Sequence, residues 1–407
     1  MALLLAVPLL AYLGWLVWAL VAYPIPLSYN LRSLWQRKVS TLSTAGAIAL
    51  VVGIFVVVLS LATGLSQAFV SSGRADQAIV MRPNSRFELN SVVTRGQARI
   101  LEVDPRLARL DGEPMASPEV VVVKIFGKRD GDETNVSIRG LGPMGLRLRP
   151  EVHLVAGRWF RPGLTEIVVP RRMQARFEGL DLGQEVKLGG RSWTVVGAFD
   201  AAGSSFDSEI WGGADEVMQA FKRSVYSVVT VRLADPGRLP AFTEALAKDP
   251  RLQLEAVPEQ AYFRELTKSG DPIKILGNLI TLILTAGAIF SAMNTMYAAV
   301  AGRTREIGTL RALGFRRREI LASFQWEAIL LCGAGGILGA LLSRLANGIQ
   351  TGTTSFQTFS DVSFAFTITP TLMLQGLAFS LAMGLLGGLL PALRASRIPL
   401  TEAMKGA

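Results

Sequence analysis

Charge-free apolar runs alternate with short basic clusters along this chain. No ionisable residue lies between Lys38 and Arg74, and Ala45 to Ala62 is dense in Val, Leu and Ile. Similar apolar runs occupy about Ile275 to Val300, Ile320 to Leu342 (with Glu327 inside it) and Leu372 to Leu393. Roughly 20 apolar residues cross a bilayer as a helix, so four spans are predicted. The intervening stretch from about residue 65 to 272 changes character. Amphipathic helical spacing is visible at Gln97 to Leu110, Ala214 to Arg223 and Arg238 to Lys248. β-branched runs at Val120 to Ile125, Glu166 to Val169 and Ser227 to Leu233 predict strands. Glu185 to Phe199 carries the signature of a β-hairpin: Val186 and Leu188 alternate with polar residues, Gly189-Gly190 supplies a two-residue turn, and Trp193, Val195 and Val196 follow.

Two further patterns flank the first span. Leu3 to Val21 is apolar and ends at Tyr23-Pro24-Ile25-Pro26. It lacks the basic start of a signal peptide and is followed by residues that read as cytoplasmic, so an extra span is expected, with an interfacial helix as the alternative. Asn30 to Ser40 mixes Leu31, Leu34 and Trp35 with basic residues and suits an amphipathic helix on the inner surface.

Charge fixes the sidedness. The chain has 407 residues, half of them hydrophobic, and a formal charge of +10. Between Arg74 and Asp271 there are 28 Lys and Arg against 27 Asp and Glu, so the middle is nearly neutral. The excess sits at Arg32, Arg37 and Lys38, from Arg303 to Arg318, and at Arg394, Arg397 and Lys405, each beside an apolar run. That is the positive-inside pattern, which places these clusters in the cytoplasm and the middle of the chain outside it. A nucleic-acid partner is not needed to explain the charge. The predicted fold is therefore an α-helical membrane protein of four core transmembrane helices plus an extra N-terminal one, with an inserted mixed α+β extracytoplasmic domain of one or two subdomains. Its parts are 1–24, the extra segment; 28–64, the amphipathic helix and first core span; 65–272, the outer domain; and 273–407, three spans with a cytoplasmic helix at 302–319.

Candidate chemistry is sparse. Cys332 and His153 are the sole cysteine and histidine, so zinc sites and histidine-dependent triads lack raw material. The spans hold no His/Asp/Glu constellation that would support an intramembrane enzyme. The informative stretch is the link from Gly302 to Ile320. Ile307, Leu310 and Leu313 recur at helical spacing among Arg303, Arg305, Glu306, Gly308 and Arg311, and Gly314 can end the helix. Spacing alone is satisfied by a solvated turn whose arginines only set topology; the functional alternative is a docking helix for a cytoplasmic partner. Glu327 is the one acid in an apolar run, and it either tunes packing and coupling or pairs near the interface with Arg316 to Arg318. Gln325 stands two residues before it. Gly335 with Gly339, and Gly384 with Gly388, have the small-xxx-small spacing that lets helices approach, within this chain or at a seam between copies. Asn278 and Asn294 could bond between helices in the same two ways.

The link resembles the coupling-helix region of the MacB/FtsX-like ABC permease superfamily, which includes the lipoprotein-releasing LolC and LolE permeases. Gln325-Trp326-Glu327-Ala328 is similar to the family's Gln-x-x-Glu, and Pro391-Ala392-Leu393-Arg394-Ala395 with Pro399-Leu400-Thr401-Glu402-Ala403 to its C-terminal ending. Leu182 to Leu188 followed by Trp193-Thr194-Val195-Val196-Gly197 resembles the MacB-type periplasmic core. The likeness covers about residues 30 to 407, and the run before residue 24 departs from the usual four-span plan. It implies a permease in the cytoplasmic (inner) membrane of a bacterium, paired with a second copy as homodimer or heterodimer, in contact with lipid and an extracytoplasmic accessory protein. It also implies a cytoplasmic ABC ATPase partner that carries ATP and Mg, with residues 303–314 as the coupling helix. No Gly-x-x-x-x-Gly-Lys-Ser/Thr loop occurs, so no cofactor is expected on this chain and hydrolysis is expected on another. Export or extraction at the outer face is one reading. The other is an FtsX-type regulator that transmits ATPase strokes to an outer partner such as a cell-wall hydrolase, without transport.

Overall fold

The structure is a computed structural model that describes residues 12, 14–19, 27–267, 271–354 and 360–399. It divides into two compact units. One contains the described parts of residues 1–61, 274–347 and 367–407, and the other those of 62–273 and 348–366.

The first unit is helical. An amphipathic helix α1 (Leu27–Gln36) breaks at Arg37 before α2 (Lys38–Val70). Leu31 and Trp35 are exposed on α1 while Asn30 and Ser33 are buried, so its polar stripe faces the protein. α2 is 33 residues long, about 50 Å at 1.5 Å per residue, and its last turns, from Ala62, belong to the second unit. Three more long helices return later in the chain: α8 (Asp271–Gly302), α10 (Arg317–Ser343) and α11 (Pro370–Arg397). With α2 these make four helices long and apolar enough to cross a membrane among the described residues. The proposed extra span at Leu3 to Val21 lies largely outside the described residues; residues 14–19 are helical.

Close approach organises the span packing. A Cβ on Gly339 would stand 2.4 Å from the Ala49 carbonyl oxygen, and one on Gly335 2.8 Å from that of Ala45, so α10 meets α2 backbone to backbone. Gly384 and Gly388 do the same between α11 and α10, against the Ala328 oxygen and Cβ. Both glycine pairs are thus used within the chain. The core they enclose contains Ile48, Val52, Val56, Ala292, Cys332 and Met383. Asn278 and Asn294 lie on the exposed side of α8.

The second unit is a mixed α/β domain. Its strands run in the order β12 (Glu255–Pro258), β1 (Gln77–Met81), β11 (Val228–Arg232), β4 (Ala116–Gly127), β5 (Glu133–Leu141), β10 (Glu209–Gly213), β7 (Glu166–Pro170), β9 (Arg191–Asp200) and β6 (His153–Gly157), with β8 (Glu185–Leu188) beside β9. β4 is shared. Its first residues pair with β11 and its last with β5, so one long strand carries two cores. One core gathers β1, β11, β12, α3 (Arg95–Glu102) and α6 (Leu239–Lys248) around Leu101, Phe242 and Leu246. The other packs α4 (Arg171–Arg176) and α5 (Ala214–Ala220) over β5, β7, β9 and β10 around Trp193, Phe177 and Ile138. The expected hairpin forms with Leu188 opposite Arg191, and Gly189 and Gly190 turn it with φ of 55° and 81°. The helix expected over Gln97 to Leu110 ends at Glu102. Pro105 cannot donate within a helix, the Asp104 carboxylate takes the Arg106 N–H instead, and a small ribbon of β2 (Arg109–Leu110) and β3 (Glu113–Pro114) follows.

Charges are buried where the two cores meet. Arg139 binds Glu88, Glu119 and Glu209, and Arg149 binds Glu119, all at 2.6 to 2.9 Å. Burial works to raise Glu119, but the two guanidinium groups overcome it and hold the carboxyl below its ordinary range. α7 (Glu259–Thr267) leads out of the unit, and its Glu259 accepts the Arg74 N–H at 2.9 Å, so the chain's ways in and out are joined. A hairpin of β13 (Gln350–Thr354) and β14 (Asp361–Ala365), which the residue pattern does not announce, also belongs to this unit.

Candidate functional site

At the basic end of the helical unit, α8 stops at Gly302 and α9 (Thr304–Ala312) begins at once. The Arg303 backbone leaves the helical region at the junction, with φ −121° and ψ 19°, and its side chain turns inward. There Nη1 donates to Glu327 Oε2 at 2.8 Å and Nε to Glu306 Oε2 at 3.0 Å, while the guanidinium lies over the Tyr29 and Phe324 rings. Glu327 is 1% exposed. Its second oxygen accepts Arg37 Nη2 at 2.5 Å and the Ser33 hydroxyl at 3.2 Å. A buried carboxylate is thus shared by two arginines from different helix junctions, α1–α2 and α8–α9, which is what burying such a charge requires.

The expected partners of Glu327, Arg316 to Arg318, are not the ones it finds. Those residues are exposed at the start of α10, where the Glu319 side chain accepts the Arg316 N–H. Glu327 points away from that turn toward α1 instead. Asn30 completes the seam: its amide donates to the Ser323 carbonyl and its oxygen accepts the Ser323 hydroxyl. Tyr29 Oη donates to Glu306 Oε2 at 2.9 Å. Burial works to raise the Glu306 carboxyl, but hydrogen bonds from Arg303 and Tyr29 outweigh it and hold it below its usual value. Burial likewise works to lower Arg303, and Glu327 with Glu306 more than reverses that. Arg303 and Glu306 are thus each held in their charged form, and their contacts fix the start of α9.

The far end of α9 is fixed separately. Arg311 Nη1 donates to the Ser396 carbonyl at the end of α11, and the Phe315 N–H returns to Leu310 O across Gly314, whose φ is 96°. Held at both ends, the helix divides its apolar ridge. Ile307 and Gly308 are buried, Ile307 against Met296, Val300 and Phe324, while Leu310 is half-buried and Leu313 is 73% exposed. Arg305 and Thr309 are exposed. A cleft of about 530 Å³ between α1 and α9 is lined by Tyr29, Arg32, Arg37, Arg303, Glu306 and Leu310 among others. Gln325 is fully buried, and its amide donates to the Gly384 and Leu385 carbonyls, stapling α10 to α11. So the link residues and Glu327 come together, whereas Gln325 and the four glycines serve span packing. Tyr29, Asn30 and Ser33 of α1 are not marked as site residues by the sequence, and Arg37, just beyond that helix, stands out there only as a topology charge. Their signal is spacing: 29, 33 and 37 fall on one helical face, opposite Leu31 and Trp35. His153, at the start of β6, is exposed.

Comparison with known proteins covers most of the chain. Residues 41–249, half of the chain, match the family described as MacB-like periplasmic core domain, and residues 278–400 match FtsX-like permease C-terminal. Among curated relatives, the macrolide export ATP-binding/permease protein MacB of Hahella chejuensis is 30% identical over 244 residues, 55% of this chain and 35% of its own length. Its Escherichia coli namesake is 29% identical over 302 residues, 69% of this chain and 45% of its own. The chain therefore spans less than half the length of these two relatives. Among solved structures, the periplasmic region of MacB from Actinobacillus actinomycetemcomitans aligns with a TM-score of 0.36 at 14% identity, over 46% of this chain and 90% of that one. The extracellular domain of the noncanonic ABC-type transporter YknZ from Gram-positive bacteria gives 0.34 at 15%, over 44% and 99%.

Proposed function

This chain belongs to the MacB/FtsX-like ABC permease superfamily, and from that membership we propose that it is the membrane subunit of an exporter or extractor working at the outer face of a bacterial cytoplasmic membrane. In this reading a separate cytoplasmic ATPase, which binds ATP and Mg, closes and opens against α9. The motion passes through the spans to the outer domain, and a second permease copy, identical or related, completes the machine. The names of the curated relatives join ATP-binding with permease, and these 407 residues contain no phosphate-binding loop of their own.

The observation that carries the reading is the state of α9. It is a nine-residue helix pinned at its start by the buried Arg303–Glu327–Arg37 cluster and at its end by Arg311, with Arg305 and Leu313 left exposed. A solvated turn that only set topology would need no buried ion pair to orient it. A lever arm would, because force applied at one end must not be lost in rotation of the helix.

The test is purification of the full chain from its native membrane. An ATPase should co-purify, and molecules offered at the outer face should change its hydrolysis rate. Leu313→Asp and Leu310→Asp should weaken that complex at least tenfold, about 1.4 kcal/mol, while the chain remains inserted. Normal complex formation in both variants removes α9 as the docking element. Hydrolysis that responds to a cell-wall hydrolase and to no small or lipidic molecule selects the regulator instead.

A further inference from the structure

The connection between α10 and α11 passes through the outer domain. Only Asn347 separates the Arg344–Ala346 turn from the hairpin's part of the chain, and α11 begins at Pro370, four residues after Phe366. Hydrogen bonds continue beyond the strands, from Gly348 N–H to Phe366 O and from Phe366 N–H to Ile349 O. There is little slack between these helices and the hairpin.

The hairpin is fastened within its own unit. Arg176, at the end of α4, grips Asp361 with both ends of its guanidinium, at 2.8 and 3.0 Å, and also donates to the Ser363 hydroxyl. Asp361 is 5% and Arg176 18% exposed at their side chains. The opposite strand meets the same group: a Cβ on Gly352 would fall 2.4 Å from Arg176 Nη2, so β13 lies flat against the guanidinium. Arg176 is itself rooted, since its neighbour Phe177 is buried in the core and donates its N–H to Met173 O. On β14 the Ser363 N–H donates to Ser208 Oγ at 2.7 Å, and Val362 and Phe364 are buried. A Cβ on Gly64, in the last turns of α2, would stand 2.4 Å from Ala365 O.

The sequence isolates the same residue. Between Arg344 and Arg394, Asp361 is the only ionisable side chain. A connector that merely returned the chain could use Ser or Thr there, as its neighbours do.

We propose that the β13–β14 hairpin is a mechanical input to the outer domain, fastened by Arg176 and Asp361, which hands the displacement of α10 and α11 to that domain alongside α2 and α8. This rests on the lever reading of α9. Arg176 acts through the hairpin and is a positioning residue.

The test uses the full chain with its ATPase in lipid nanodiscs, Cys332 replaced by Ala, and spin labels at Lys248→Cys and Leu345→Cys, both exposed. The distance distribution should differ between the ADP-bound and vanadate-trapped states. Arg176→Ala and Asp361→Asn should each cut that difference by at least half, with ATP hydrolysis within twofold of the parent. The reversed pair, Arg176→Asp with Asp361→Arg, should restore it. A full difference in both single variants overturns the proposal alone. Parallel loss of hydrolysis and movement makes the pair a folding contact and overturns it as well. No nucleotide-dependent difference in the parent protein, or no ATPase to purify with it, overturns both the tie and the lever reading.

Discussion

Two glycines at one helix contact should respond to the same substitution with opposite signs. Gly339 of α10 and Gly53 of α2 face each other where these spans cross. A Cβ on Gly339 would lie 2.4 Å from the Ala49 oxygen and 3.0 Å from Val52 Cβ. A Cβ on Gly53 would lie 3.5 Å from the Gly339 oxygen, an ordinary contact. Gly339→Ala must therefore separate the helices by about 1 Å, and overpacking of that kind costs roughly 2 kcal/mol. Gly53→Ala displaces nothing and gains up to about 1 kcal/mol of helix propensity. The protein carries its own reporter. Cys332 is the sole cysteine, fully buried in the core these helices enclose. A thiol-reactive fluorophore added to the detergent-solubilised chain during a thermal ramp reads the opening of that core. Gly339→Ala should lower the onset by several degrees, and Gly53→Ala should leave it unchanged or raise it. Equal shifts of the same sign would mean that the α2–α10 contact is not set by backbone approach.

Other outcomes follow from the charged groups. Glu327→Ala strands Arg37 and Arg303 and should cost about 3 kcal/mol, the lower end for a broken buried pair because Arg37 is partly exposed; the same dye assay would show an earlier onset, with Glu327→Gln milder. Burial pushes Glu259 up to about 7, against the opposing pull of Arg149. The folded state then holds a proton that the unfolded chain releases near its ordinary 4.5, so stability should fall as pH rises from about 4.5 to about 7, by at most roughly 3 kcal/mol. Tryptophan fluorescence melts, in which buried Trp193 and Trp211 report, should show that slope, and Glu259→Gln should flatten it. Gly189→Ala, whose Cβ would press within 2.4 Å of Ala220 O at a φ of 55°, should lower the same transition, while Gly127→Ala, with open space around it, should not.

The parts that were legible in sequence are those specified by neighbours along the chain. Three of the four spans announce themselves because one charge is costly in hydrocarbon and its absence over 20 residues is conspicuous, and the run from Ile320 to Leu342 does so despite Glu327. The β8–β9 hairpin is legible because Gly189-Gly190 allows one turn geometry. The end of α3 is hidden in the pattern because an apolar period continues past Glu102, and Asp104 with Pro105 stops the helix locally. The site is harder. Arg37 and Glu327 are 290 positions apart, and a pattern of Tyr29, Ser33 and Arg37 says that a face is polar but not which carboxylate it meets. Asp361 is similar: its isolation between Arg344 and Arg394 is visible in the sequence, but its partner on α4 is not.

The hairpin also bears on how such a domain can be exchanged between proteins. The outer unit is not one continuous insertion, since residues 348–366 arrive from between the last two helices. A gene segment running from the end of α2 to the start of α8 would leave Arg176 without its carboxylate and bare the seat of Val362 and Phe364. Recombination that swapped outer domains would have to carry both pieces together or replace the second with a compatible strand pair. This architecture should therefore be inherited as a whole, with β13–β14 changing in step with the domain it completes.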